Sequence, residues 1–428
     1  MPNSHKVPHL TTSLSGPLLE LEKHLLENQT QIETWFRHQW LETPAPFYAS
    51  VDLRNSGFKL APVDTNLFSA GFNNLNSEFT PLCIQAIQSA VDHIQPTASK
   101  ILIIPENHTR NTGYLESLAA LCEVITQAGF EVRIGSLQTD MEQPNEIKLP
   151  SKRTITLYPL IKTGDKIGTK EFEPHLILLN NDLTDGRPAL LENIQQPLTP
   201  PLGMGWSTRL KSSHFIHYRH IAEQFSEMID IDPWLINPMF RQCGEINFMK
   251  REGEECLEKN VAALLKAIQK KYDQYGLTEK PFVIIKSDSG TYGMGVMTVY
   301  SAEEVKSLNR KQRTKMASSK GGGNVERVII QEGVYTFETW GSDGAVAEPV
   351  VYMIDHFVVG GFYRVHTGRS SSENLNAAGM HFEPLEFASC CNTPDRRMEP
   401  DAEPNRFYAY GVIARLALLA ASREIAEV

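Results

Sequence analysis

The segment PFVIIKSDSGTYGMGVMTVYSAEEV, residues 281–305, constrains this chain more than any other stretch. A β-branched run ends in Lys286, and a loop carrying Gly290, Gly293 and Gly295 follows. A second strand then leads to Ser301 and Glu304, spaced as a capping box that opens a helix. Glycines between two strands let backbone N–H groups approach phosphate oxygens closely, and a lysine on the preceding strand adds a point charge. The motif GxxxxGK[ST] is absent and a strand follows the glycines, so the segment is neither a Walker A loop nor a dinucleotide fingerprint. A plain Gly-rich hairpin with an exposed lysine would read the same way. Downstream, RVIIQEGV supplies a second buried strand that ends in Gln331, Glu332, Gly333 and Val334.

The rest of the chain reads as an α/β (α+β) protein. Its 428 residues predict two or three domains of about 150 residues each. Residues 17–42 carry apolar side chains at helical spacing, ended by Pro44 and Pro46. FYASVDLRNSGFKLAPVDTNLF alternates as a hairpin turning at Asn55, Ser56 and Gly57. Residues 80–94, KILIIPEN, YLESLAALCEVITQAG and FEVRIGSL alternate helix and strand, the rhythm of a parallel layer whose strand ends face ligands. A Pro- and Gly-rich loop at 197–206 precedes a helical region that runs to about residue 272. The expected divisions are an N-terminal helical segment at 1–45, a hairpin at 46–80, an α/β domain at 81–240 and a strand-rich region at 241–428.

Charge and cysteines narrow the partners. Lys and Arg number 41 against 51 Asp and Glu, a net charge of −10, which argues against broad capture of nucleic acid or anionic membrane. The apolar run Phe407–Ala421 contains Arg415 and falls short of the roughly 20 residues that span a bilayer, so a buried helix is expected. No apolar signal core opens the sequence, and the six cysteines show no CxxC and no pairing framework. A reducing, cytoplasmic setting with ordinary thiols, Cys390 and Cys391 included, is the expectation.

Strand, lysine, glycine loop, strand, helix and a strand ending in an acid resemble the nucleotide site of ATP-grasp ligases, with 286–296 as the glycine loop. By that resemblance 331–334 is the hinge that holds adenine, with Gln331, Glu332 and Val334 as contacts. The region EPVVYMIDHFVVGGFYRVHTGRSSSENLNAAGMHF is similar to the phosphate-side strand and turn of glutathione synthetases, where Arg364 and Asn376 match the pattern. KLAPVDTNLFSAGFNNL resembles the acid-x-Asn metal motif of the eukaryotic glutathione synthetases, there placed ahead of the glycine loop in circularly permuted order. Asp64 and Asn66 match its two ligand positions, and Asp288 is a third candidate whose spacing departs from the pattern. Over nearly the full length, through KSDSGTYGMG, VDTNLFSAGFNN and YGVIARLALLAASREI, the chain resembles the proteobacterial glutamate–cysteine ligases.

The resemblance implies ATP, Mg²⁺, L-glutamate and L-cysteine as ligands and γ-glutamylcysteine as product, with γ-glutamyl phosphate between. It also allows a homodimer. A glutathione synthetase, another carboxylate–amine ligase on the same site, or a silent nucleotide-binding module stay open as alternatives. A glutamate pocket needs arginine and hydroxyl or amide groups. Asp52 and Arg54 fit either such a pocket or a surface ion pair. Arg110, Asn111 and Tyr114 sit where a strand hands over to a helix, as anion ligands or as a polar cap. Asn181, Arg187, Arg209 and Ser212 resemble substrate-domain loops only loosely. RKQRTKMASSKGGGN reads as a solvated loop or as a lid whose Lys320 reaches a phosphate.

Overall fold

The computed structural model describes residues 17–107, 111–290, 295–317, 325–341, 343–385 and 406–428. The expected helical N-terminus is a pair, Pro17–Glu27 and Gln29–Glu42, broken at Asn28. Their apolar faces bury Leu18, Leu21, Leu25, Ile32 and Phe36.

The hairpin forms as its alternation predicts. Strands Tyr48–Asn55 and Leu60–Asn66 pair antiparallel, and Asp52 faces Asp64 in the register. Gly57 sits at φ 76°, a left-handed conformation glycine adopts without strain, and its N–H donates 2.9 Å to the Asn55 side-chain oxygen. The hairpin does not stand alone. Tyr48–Asn55 pairs along its other edge with Ala345–Ile354, which continues to Phe357–His366 and His381–Pro384. Residues early in the chain thus complete a sheet built mainly from its last third.

A second sheet is largely parallel. Leu198–Thr199, Leu176–Asn180, Lys100–Pro105, Glu131–Ser136 and Thr154–Pro159 lie side by side, with Asn145–Lys148 antiparallel at the edge. Leu176–Asn180 is buried throughout, as a strand covered on both faces must be. Helix Thr112–Gln127 starts at Asn111, whose side-chain oxygen accepts from Tyr114 N–H at 3.2 Å.

The third sheet orders Phe240–Cys243, Val328–Glu332, Val283–Ser287 and Val296–Val299, all antiparallel. The lysine strand and the hinge strand are therefore direct neighbours, and residues of this sheet and of the first line one cavity. The helical region expected to about residue 272 consists of two helices, Lys211–Ile229 and Glu254–Tyr275, with the strand Phe240–Cys243 between them. Asp230, at φ 56°, ends the first.

The closing helix Arg406–Ile425 is buried from Tyr408 to Ala421 and packs against Lys211–Ile229 and the hairpin. Arg415 is accommodated there because both its terminal nitrogens donate to Glu33, each at 2.7 Å, and its guanidinium lies 4.2 Å from the Phe36 ring. Among the described residues no helix is long and apolar enough to cross a membrane.

Candidate active site

A cavity of about 660 Å³ opens where the three sheets meet. The hairpin supplies one wall, the lysine and hinge strands another, and the carboxyl ends of the parallel sheet the third.

Lys286, at the end of its strand, is buried and donates 2.7 Å to the Val63 carbonyl. That contact sets the glycine-loop lysine beside Asp64, although 223 residues separate the two bonded positions. Asp64 also receives Lys211, whose Nζ lies 3.5 Å from its Oδ1 and 3.6 Å from the Trp206 ring centroid. Burial would raise the Asp64 carboxyl, but Lys211, Lys286, Arg209 and His214 overcome it and hold the carboxyl down at about 2. Asp52, its neighbour across the ladder, goes the other way. Burial pushes the Asp52 carboxyl up against the pull of Arg364.

Asp64 is thus a permanent anion whose side chain is 40% exposed to the cavity. Asn66 shares that wall, and among the described residues its Oδ1 accepts only from Phe68 N–H at 3.0 Å. A carboxylate and a carboxamide oxygen fit a hard divalent cation that keeps waters and takes phosphate oxygens. Asp288 does not fit. Both its carboxylate oxygens are taken by Ser212, from the backbone N–H at 2.8 Å and the hydroxyl at 2.7 Å. Its carbonyl also accepts from Lys211 N–H at 2.7 Å. Asp288 caps the helix Lys211–Ile229 and clamps the base of the glycine loop to it.

Arg364 donates to Asp52 at 2.8 Å and to Glu348 at 2.5 Å, while its Nε–H has no partner among the described residues. That free donor belongs to a cavity-lining side chain, as an anion site requires. Arg54 lines the cavity too, but its guanidinium is engaged by Glu348 at 3.0 Å, the Val334 carbonyl at 3.2 Å and the Glu373 carbonyl at 2.5 Å. It braces the hinge against the first sheet and is no surface ion pair.

At the hinge, Gln331, Glu332 and Val334 all reach the cavity, and Gln331 Nε2 is buried without a partner among the described residues. The Glu332 carboxylate, however, turns inward. It accepts from Lys59 at 2.8 Å, from Trp234 Nε1 at 2.9 Å and from Met239 N–H at 2.9 Å. Gly290 and Gly295 adopt φ of 84° and 63°, as the loop needs, and Asn376 lines the opposite wall. Asn111 and Tyr114 reach the cavity as structural donors and acceptors. The Tyr114 hydroxyl bonds the Asn180 carbonyl at 2.8 Å and receives Glu106 N–H at 2.9 Å.

Four more candidates stand away from the cavity. Asn181 closes a turn through Pro105 and Leu183, and Arg187 is exposed. Arg209 is buried, with Glu424 at 3.0 and 2.8 Å and the Thr65 carbonyl at 2.9 Å. Ser212 is spent on Asp288, as above. Arg110, Gly293 and Lys320 lie outside the described residues. Sequence reasoning missed Lys211, although it stands between Arg209 and Ser212. It also missed Glu348, whose signal is an acid inside the apolar run EPVVYMI.

The charge on Lys286 yields a pH prediction. Burial lowers its ammonium from the ordinary lysine value to about 8, against the pull of Asp64. A base with a depressed native pKa carries its charge fully only below that pKa. We expect kcat/KM to fall as pH rises through about 8. Between that pH and the ordinary lysine range the unfolded chain binds the proton the native state has lost, so this residue's contribution to stability rises over the same window. A flat kcat/KM profile to pH 9.5 would contradict the assignment.

Known proteins resemble the chain over most of its length. The family described as GshA, glutamate-cysteine ligase, matches residues 22–425. A crystal structure at 1.90 Å of a Methylobacillus flagellatus KT protein, assigned as a gamma-glutamylcysteine synthetase, is 58% identical with a TM-score of 0.91. The alignment covers 99% of this chain and 100% of that one. Two further structures align at low similarity. The D-alanyl-alanine synthetase A of Vibrio cholerae O1 biovar eltor str. N16961 is 10% identical over 75% of this chain and 81% of its own, at TM-score 0.31. A glutathione synthetase-like effector of Globodera pallida is 9% identical over 87% and 85%, at 0.39. No curated protein sequence matches the chain.

Proposed function

The chain belongs to the glutamate–cysteine ligase family, and from that premise we propose that it joins the γ-carboxylate of L-glutamate to the amine of L-cysteine, converting ATP to ADP and phosphate and releasing γ-glutamylcysteine. The observation that carries this reading is the convergence of Lys286, Asp64 and Arg364 on one cavity, in a chain matched almost end to end by the family.

A carboxylate does not acylate an amine near neutral pH, because its oxygen is a poor leaving group. The γ-carboxylate oxygen therefore attacks the γ-phosphorus of ATP, the bond to the ADP oxygen breaks, and γ-glutamyl phosphate forms. The cysteine amine then attacks the acyl carbon, loses a proton, and phosphate departs with the bonding pair. No protein nucleophile is needed. The protein's part is positioning and charge neutralisation.

Adenine lies against Gln331–Val334, where the unpartnered Gln331 amide and the hinge backbone offer donors and acceptors. The phosphates lie under the glycine loop, with Lys286 and Lys211 as counter-charges. Arg364 directs its free Nε–H to an anionic oxygen of substrate or phosphate. Asp64 and Asn66 would hold Mg²⁺, which when bound neutralises phosphate charge. Asp52 keeps Arg364 aligned.

The test is ADP release with glutamate plus each amino acid in turn, followed by mass analysis of the product. Cysteine should be the preferred acceptor and γ-glutamylcysteine the product. Formation of glutathione from γ-glutamylcysteine and glycine as the dominant reaction would overturn the reading.

A further inference from the structure

Two of the cysteines meet in space, which their spacing does not announce. Cys243 ends the strand Phe240–Cys243, and Cys256 sits in the first turn of helix Glu254–Tyr275. Their sulfurs are 3.1 Å apart across a sequence separation of 13. Cys243 is a buried residue and Cys256 an exposed one. Asn260, one helical turn after Cys256, donates its Nδ2 to Cys243 Sγ at 3.1 Å and lies 3.4 Å from Cys256 Sγ. A structural zinc site needs four ligands. Among the described residues no cluster of three or more His, Cys, Asp or Glu side chains stands here or elsewhere. A dithiol with one reachable sulfur and one shielded partner in contact is instead the arrangement for thiol–disulfide exchange.

We propose that Cys256 and Cys243 form an exchange site for small-molecule disulfides, with Cys256 as the attacking thiol and Cys243 as the resolving one. In the first step the Cys256 thiolate attacks one sulfur of a disulfide RSSR, the S–S bond breaks, and RS⁻ leaves, giving a mixed disulfide at Cys256. In the second, Cys243 loses its proton to solvent and attacks Cys256 Sγ, expelling the second RS⁻. Two protein thiols are oxidised by two electrons and RSSR is reduced to two RSH. Burial pushes the Cys243 thiol up to about 12, which fits its acting second, once its target is in contact.

The position gives the bond a consequence. Cys243 pairs with Val328 and Phe240 with Gln331, so the cross-link fastens helix Glu254–Tyr275 to the strand that backs the hinge. The proposal does not depend on the ligase reading.

The probe is oxidised glutathione added to the full chain, with acid quench, alkylation and peptide mass mapping over time. In the wild type the Cys256 peptide should carry glutathione transiently and then appear joined to the Cys243 peptide. Cys243→Ser should accumulate glutathione on Cys256, whereas Cys256→Ser should leave Cys243 reduced. Should Cys243→Ser fold poorly, Cys243→Ala serves as the same arm, and the wild-type time course stands by itself. A lasting glutathione adduct at Cys256 in the wild type would overturn the proposal, as would a pair that stays reduced while other cysteines react.

Discussion

Lys286→Met is expected to lower kcat/KM for ADP formation by at least about 100-fold while the protein keeps its fold, as removal of one preorganised counter-charge typically does. Methionine retains most of the stem in a well-packed place and removes only the ammonium, whose sole hydrogen bond described here is to the Val63 carbonyl. Because burial already disfavours that charge, taking it away should leave the thermal midpoint of the ligand-free protein nearly unchanged or raise it. The phosphoryl group in flight has no such indifference. Normal turnover in this variant would sink the glycine-loop assignment, and a large fall in the midpoint would make Lys286 a structural residue.

Glu332→Ala should act in the opposite sense, on the fold. As a hinge acid it reads as a nucleotide contact whose loss would raise KM for ATP. In the structure its carboxylate is fully engaged away from the cavity, and both it and Lys59 have only 1% of their side chains exposed. Alanine would strand a buried ammonium that also lies 4.5 Å from the Trp234 ring, and would leave the Trp234 and Met239 N–H groups without acceptors. Breaking such a pair from one side costs about 3–5 kcal/mol. The measurement is chemical denaturation of wild type and variant, with Lys59→Met, Glu332→Gln as a rescue because it removes both charges. An unshifted transition with a raised KM would restore the contact role.

These two residues show what the letters can and cannot reveal. Lys286, the strands on either side of the glycine loop and the hairpin were legible because strand alternation and turn glycines are local, each within a dozen or so residues. The resemblance added the pairing of Asp64 with Lys286 across the chain. The side chains of Asp288, Arg209 and Glu332 are engaged away from the cavity for a common reason. Each carboxylate or guanidinium is satisfied by a partner 76 to 273 residues away, Ser212, Glu424 or Lys59, and nothing in the spacing marks such a partner. Arg54 shows the same limit, since its alternatives were an ion pair or a pocket and it became a brace to the hinge. Lys211 was passed over because a lysine at the start of an amphipathic helix is ordinary until a tryptophan and an aspartate are found against it.

The hairpin's place in the first sheet also bears on how the chain is made. Tyr48 pairs with Ile354, so the strand Tyr48–Asn55 leaves the ribosome long before its partner exists. At about 5–20 residues per second the wait is roughly 15–60 seconds, during which one edge of a strand that alternates apolar with polar and charged side chains has no neighbour to bond. The parallel sheet has its strands close in sequence and can close first. The nascent protein therefore carries a half-built binding wall through most of its synthesis, and the ribosome-bound chain, more than the finished enzyme, is the form in which this topology invites wrong pairing and chaperone attention.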